Sequence, residues 1–151
     1  NKKWSRLDNV EIFSFAAGRT EGTIAIYGED DHVENSVFDS GGAAAPGFEV
    51  PLQTLSRLLQ KCGIARVALL KMNIEGAEVD ALHGMGEHLA QVEDVCIACH
   101  DFRAERGEGD LFRNRDAVIQ ILIEAGFDLH FRANDHRSYV RDIVYGRNRR
   151  I

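Results

Sequence analysis

The chain has few cysteines, no excess of positive charge, no long apolar run and no glycine-rich nucleotide turn. Each absence removes a class of function. Three cysteines in 151 residues (Cys62, Cys96 and Cys99) do not make a disulfide framework, so a reducing cytoplasm is the expected setting. A net charge of −6 argues against a nucleic-acid surface as the main business. The basic residues Arg141, Arg147, Arg149 and Arg150 read as a short solvated stretch. No apolar run is long enough to cross a membrane, and no membrane partner is expected. The opening Asn1-Lys2-Lys3-Trp4 has no signal-peptide core and no initiating Met, which points to a processed or truncated chain. A nucleotide-type cofactor site calls for G-x-G-x-x-G between a strand and a helix. Here Gly84-Met85-Gly86 falls late in a helical pattern and Gly107-Glu108-Gly109 in a charged loop, so neither serves.

What is present is an ordinary globular composition, 44% apolar and 28% charged, in a length that suits one α/β domain over residues 1–151. Residues 10–17 and 23–27 are β-rich and flank turn chemistry, so they read as a hairpin. Residues 28–47 form a long acidic, then Gly- and Ala-rich loop. A short strand at 48–53 leads to Thr54, which caps a helix carrying Leu55, Leu58, Leu59 and Cys62 and closed by Gly63. Residues 65–72 and 92–99 are near-continuous apolar runs and predict buried, adjacent, parallel strands around a helix over 74–91. Residues 101–113 read as a charged loop. Asn114 is expected to cap a helix ending at Gly126, and 127–132 and 139–145 to pair antiparallel, because the gap between them is too short for a crossover.

The chemistry concentrates where the 65–72 strand ends. Leu69-Leu70-Lys71-Met72-Asn73-Ile74-Glu75-Gly76-Ala77-Glu78 passes from strand to polar turn to helix, and ligands in open α/β sheets bind at the carboxyl ends of strands. Asn73, Glu75 and Glu78 are therefore candidates, although helix capping and the helix dipole explain the same residue types. Gly76 allows close approach of a ligand to the backbone. His100 and Asp101 end the next strand on the same edge. A histidine titrating near neutrality suits removal of a hydroxyl proton. His83, His88 and His136 read as solvated. Cys96-Ile97-Ala98-Cys99-His100 matches the c-type haem pattern literally, but residues three apart on a strand face opposite ways, and two buried thiols are the favoured reading. A Mg²⁺ site from Glu75, Glu78, His100 and Asp101 is conceivable but not required by the spacing, and no metal is assigned.

The same stretch also carries a resemblance. LLKMNIEGAE resembles the LLKIDVEGAE signature of FkbM-type methyltransferases. Upstream, VPLQTLSRLL is similar to that family's V-x-x-x-TLDDLL lead-in, and downstream CIACHDF sits where the family ends its next strand. Three separated motifs in the right order make the resemblance fairly specific, and it runs from about Asn9 to the C-terminus. One departure is Asn73, where the family has aspartate. The resemblance implies a Rossmann-like methyltransferase sandwich: a mostly parallel sheet with a C-terminal antiparallel hairpin, the fold's N-terminal strands missing. It implies S-adenosylmethionine as cofactor and a hydroxyl of a small molecule or sugar as acceptor. Ala16, Ala17 and Asn73 would bind the cofactor, with Ala16 and Ala17 near the adenine. His100 and Glu75 would be catalytic, and Glu78 and Asp101 would face the substrate. The family's glycine-rich turn precedes the segment matched here, so this chain alone is expected to bind S-adenosylmethionine weakly. The inner edge of the 65–72 strand would then lack a neighbour. That edge should take up the 10–17 hairpin or pair with a second copy of the chain. Two rival readings stand beside the enzyme: a non-catalytic binding module, and a metal-dependent hydrolase using Glu75, Glu78 and His100.

Overall fold

Two apolar runs decide the central sheet. In a computed structural model, which describes residues 8–26 and 48–151, Val67–Met72 forms β4 and Val92–Ala98 forms β5. They pair in parallel, Leu70 opposite Val95 and Met72 opposite Ile97, as the sequence predicts. The expected loop 28–47 lies outside the described residues. The crossover between the strands is not one helix over 74–91. Residues 74–77 are a turn, helix α2 spans Glu78–Met85, and Gly86–Gln91 tightens into a 3₁₀ segment. Gly86 adopts φ +52, a left-handed value that stops the α-helix there.

β6 (Phe127–His130) and β7 (Ile143–Asn148) pair antiparallel, and β7 lies between β5 and β6, giving the order β4-β5-β7-β6. The second strand of this hairpin begins later than expected because Ser138–Arg141 winds into a short helix, α5. Another short helix, α3 (Asp101–Glu105), occupies the start of the expected charged loop. Helix α4 (Arg115–Ala125) packs against α2, and both bury apolar side chains over the sheet. Leu82, Met85, Val118 and Leu122 meet Val92, Ile97, Phe127 and Val144 there, all essentially inaccessible.

Only one face of this sheet is well covered by described residues. Val95, Ile97 and Cys99 point into the core, while Asp94, Cys96 and Ala98 are half-buried. β4 departs further from the expected buried strand. Met72 is buried, but Leu69 on the open face is 59% exposed, and among the described residues β4 pairs only with β5. An edge strand has neighbours on one side only, so an apolar run there does not secure burial.

The N-terminal part also differs from expectation. Strand β1 is reduced to Ala16–Ala17, and residues 10–14 are exposed without ladder partners. β1 does not pair with β2 (Gly22–Ile26). Strand β3 (Phe48–Gln53) lies between them, parallel to β1 and antiparallel to β2. Nor does the 10–17 segment enter the gap beside β4, since β1 belongs to this separate three-stranded sheet. Among the described residues the fold is mixed rather than mostly parallel: two of the five strand pairings are parallel and three antiparallel. The links β4-α2-β5 and β5-α4-β6 are crossovers that keep those strands running the same way, and the antiparallel pairings of the larger sheet arise because β7 returns by a shorter link and inserts between β5 and β6. Helix α1 (Leu55–Lys61) follows β3, with Thr54 Oγ1 accepting from Arg57 N as expected of its cap. No helix among the described residues is long and apolar enough to cross a membrane.

The two sheets meet at α2. Gly84 packs so tightly on Gly18 that a Cβ at Gly84 would lie 2.0 Å from the Gly18 carbonyl oxygen. Arg19 pairs with Asp80 beside this contact, and Ser56 Oγ lies 3.0 Å from His88 Nδ1, so His88 is half-buried rather than solvated. Backbone meets backbone at Gly84, and neither side can yield by rotating a side chain. Gly84→Ala should therefore lower stability by about 1–3 kcal/mol, the usual cost of overpacking. Gly22→Ala, where nothing lies within 4 Å of the new methyl, should stay within about 0.5 kcal/mol. Urea denaturation of both variants checks the contrast.

Candidate active site

The chain must turn sharply after β4 to begin α2. Glu75 does so at φ +54, the only positive φ of a non-glycine residue among those described, and Gly76 follows at φ +100. A left-handed Glu costs on the order of 1 kcal/mol. The side chain of Glu78 offsets that cost. Its Oε1 accepts from Ile74 N and its Oε2 from Gly76 N, each at 3.0 Å, which closes the turn from beneath. Oε2 also accepts from Asn114 Nδ2 at 2.6 Å. Glu78 is fully inaccessible, so the residue expected to face substrate instead braces backbone.

His100 follows β5 and therefore stands beside this turn, as the parallel pairing predicts. Its Nε2 is 3.1 Å from Glu75 Oε1 and its Nδ1 3.5 Å from Glu78 Oε1. Burial opposes a charged imidazole, but hydrogen bonding and charge from Glu75 and Glu78 outweigh it and raise the His100 pKa to about 9. His100 is thus an imidazolium at neutral pH, not the near-neutral group the sequence suggests. Its hydrogen bond is also the main force holding the Glu75 carboxyl below the usual range, against burial and with help from Arg103.

Arg103, on α3, was not among the expected site residues. Its Nη1 donates to Glu75 Oε2 at 3.0 Å, its Nε donates to Glu108 at 2.6 Å, and its guanidinium lies 4.2 Å from the centre of the Phe112 ring. The sequence signal was its position three residues after His100, a helical spacing concealed in what reads as a loop. Asp101, also expected to face substrate, accepts from Asn114 N at 3.2 Å and Arg115 N at 3.0 Å. It caps α4 in place of the Asn114 side chain, which reaches Glu78 instead. Asp142 does the same for α3, accepting from Phe102 N at 2.8 Å.

The structure therefore brings Glu75, Glu78 and His100 together and leaves Asn73 exposed at the rim of the same edge. Ala16 and Ala17 lie elsewhere. The adjoining Gly18 packs on Gly84, six residues along α2 from Glu78, or about 9 Å of helix. Among the described residues no group of three or more His, Cys, Asp or Glu is able to hold a metal ion. Cys96 is half-buried within β5 and Cys99 inaccessible just beyond it, and burial, then the charges of Glu78 and Asp101, push the Cys99 thiol up. Two thiols so placed offer no common accessible side for haem.

The pair dictates a pH dependence. His100 rises from an ordinary 6.5 to about 9, so its contribution to stability is complete below pH 6.5 and is lost as pH climbs through about 9. Glu75 is lowered, so its contribution is present above pH 4.5 and is lost as pH falls through its folded value. Stability should decline from pH 6.5 to 9.5. His100→Ala should flatten that slope and cost about 3–5 kcal/mol at pH 6, the usual penalty for breaking a buried pair. Denaturant titrations across that range measure both effects.

Comparison with known proteins shows the family. A family model described as the methyltransferase FkbM domain matches residues 4–137. A segment of the AMB antimetabolite synthetase AmbE of Pseudomonas aeruginosa is 30% identical over 82 residues, which is 54% of this chain and 4% of that protein. The chain thus spans only a small part of that curated relative. No solved structure matches. The family match covers the Glu75 turn, His100, Arg103 and α4, that is, every member of the cluster at the carboxyl edge of β4 and β5. The chain belongs to the FkbM methyltransferase domain family.

Proposed function

We propose that the chain contributes the acceptor side of an S-adenosylmethionine-dependent O-methyltransferase, acting on a hydroxyl of a small molecule or sugar. The observation that carries this reading is the 3.1 Å pairing of His100 with Glu75 at the ends of two adjacent parallel strands, within a family of methyltransferases. The likeness to part of an antimetabolite synthetase supports a small-molecule acceptor.

The described residues fit the cofactor in part. The exposed Asn73 amide and the Glu75 carboxylate suit the polar methionine end. Ala16 and Ala17, next to the Gly18 contact on α2, stand apart from Asn73 as the adenine end of the cofactor would, and no glycine-rich turn occurs in the sequence. When bound, the cofactor supplies an electrophilic methyl group. The chain's own task is to hold the acceptor hydroxyl and remove its proton. Glu75 is the more accessible member of the pair, its side chain 17% exposed against 6% for His100, so the hydroxyl meets Glu75 first. His100 lies behind it and takes the proton at Nε2 once neutral. Arg103 fixes the other oxygen of Glu75 and keeps the carboxylate oriented.

One observation favours the rival reading of a non-catalytic module: Asn73 stands where the family signature has aspartate. Methyl transfer to a panel of hydroxyl acceptors separates the two. In the enzyme reading, kcat/KM rises about tenfold per pH unit below pH 9 and levels above it, because the neutral imidazole is the active form. His100→Ala lowers turnover by about 10²- to 10⁴-fold. A rate independent of pH between 7 and 9 assigns His100 to structure alone, and no transfer to any acceptor favours the module.

A further inference from the structure

Arg103 restrains the Glu75 carboxylate, and Arg103 must itself be held. Its backbone is fixed, because Arg103 N donates to His100 O at 2.8 Å and Asp142 caps α3 one residue earlier. Its side chain is a long flexible stem that costs about 2 kcal/mol of rotamer freedom to order. One hydrogen bond to Glu75 does not fix a planar group that can turn about that bond. Two further contacts do. The guanidinium lies on the buried ring of Phe112, 4.2 Å from its centre, so the ring sets the plane. Glu108 Oε2 accepts from Nε at 2.6 Å while Nη1 donates to Glu75, so the two carboxylates set the rotation within that plane. The loop after α3 is shaped for this contact. On a continuing α-helix a residue five places on would point about 140° away. Instead Glu108 stands between Gly107 at φ +82 and Gly109 at φ +126, left-handed values that turn the chain back. The turn ties Glu108 to Arg103 twice: its backbone N donates to Arg103 O at 3.0 Å, and its carboxylate takes Nε.

We propose that Glu108 is a positioning residue for the Glu75–His100 pair: by holding Arg103 at Nε, it fixes the angle at which the Glu75 carboxylate meets His100 and the acceptor hydroxyl. The effect on rate rests on the methyl-transfer reading, and the effect on Arg103 does not. Glu108 acts through Arg103, which stands between it and Glu75. Without Glu108 the Nε–H loses this acceptor, in a side chain only 14% exposed. An unsatisfied N–H in such a place is costly, so the fork turns to reach water and the 3.0 Å bond from Nη1 to Glu75 goes with it. Glu75 then loses the restraint of Nη1 on Oε2, and Oε1 shifts relative to His100 Nε2. A misplacement of about 1 Å at a reacting group costs about 10²-fold in rate.

Three variants test this. Glu108→Ala removes the acceptor, and Glu108→Gln keeps an oxygen there without the charge. Asp110→Ala removes another acid of the same loop, one that pairs with Arg113 at the surface. The Glu108 side chain is 38% exposed and that of Asp110 92%, so no variant opens the core. In ¹H–¹⁵N spectra recorded in the cold, a guanidinium held by two carboxylates shows separate Nη–H signals, because rotation about its C–N bonds is slow. For Arg103 these signals should merge in Glu108→Ala and stay separate in Glu108→Gln and Asp110→Ala. Nη1 bonds Glu75, not Glu108, so merging reports a change of position rather than the lost contact itself. With a hydroxyl acceptor, Glu108→Ala should lower kcat about 10- to 100-fold with KM unchanged. Glu108→Gln should stay within about threefold of the native rate. Separate Nη signals in Glu108→Ala, or an equal loss in Glu108→Gln or Asp110→Ala, overturn the proposal. A native kcat in Glu108→Ala also overturns it and leaves the O-methyl reading standing. Merged Nη signals in Glu108→Ala, with no transfer by the native chain to any hydroxyl acceptor, do the reverse: Glu108 still holds Arg103, and the O-methyl reading is removed.

Discussion

The buried carboxylate of Glu78 is the interaction on which the rest of this structure depends. A strand that ends at Met72 and a helix that begins at Glu78 leave a turn whose backbone N–H groups face inward, where water does not reach. Glu78 satisfies two of them, and its second oxygen also takes the Asn114 amide, which fastens α2 to the start of α4. A fully buried carboxylate needs compensation of this kind, and it draws His100 toward it for the same reason. The left-handed Glu75 is then held in place from both sides, by the turn beneath it and by His100 and Arg103 above. Remove the Glu78 carboxylate and the turn, the helix contact and the placement of Glu75 lose their common support.

The cluster that results is ordered by charge. Two carboxylates and two cations alternate within ion-pair distance, Glu78–His100–Glu75–Arg103, and Glu108 continues the series on the surface side. Such an arrangement keeps His100 protonated and Glu75 ionised at neutral pH. A proton can leave His100 readily only in alkaline solution, and that sets the chemical character of the edge. Strand direction also brings the chain after His130 to the same edge of the sheet, with β7 between it and β5, because β5 and β6 run the same way.

The N-terminal sheet is joined to this body by shape. Gly18 and Gly84 allow two backbones to touch, and the Arg19–Asp80 pair beside them is exposed on both sides and adds little. Helix α1 adds to this contact, with Leu59 in the common core and Ser56 reaching His88, so β1 is positioned although it is only Ala16–Ala17.

Some of this was legible in the residues alone. The apolar runs ending at Met72 and Ala98, the turn chemistry between Asn73 and Glu78, and the short link between β6 and β7 determined a parallel pair, a polar carboxyl edge and an antiparallel hairpin, because periodicity and connection length are local properties. The placing of His100 beside Glu75 followed from the parallel pairing itself. Tertiary structure decided the rest. Whether a glutamate faces a ligand or the backbone depends on which N–H groups lie within reach, and only folding revealed Glu78 bonded to Ile74, Gly76 and Asn114, and Asp101 bonded to the start of α4. Burial of β4 depended on neighbours that the strand's own residues do not specify, and so Leu69 reads as core but is exposed. The His100 pKa depended on two carboxylates, one from 22 and one from 25 residues earlier in the chain. Local pattern fixes what a segment is; distances across the fold fix what its side chains can do.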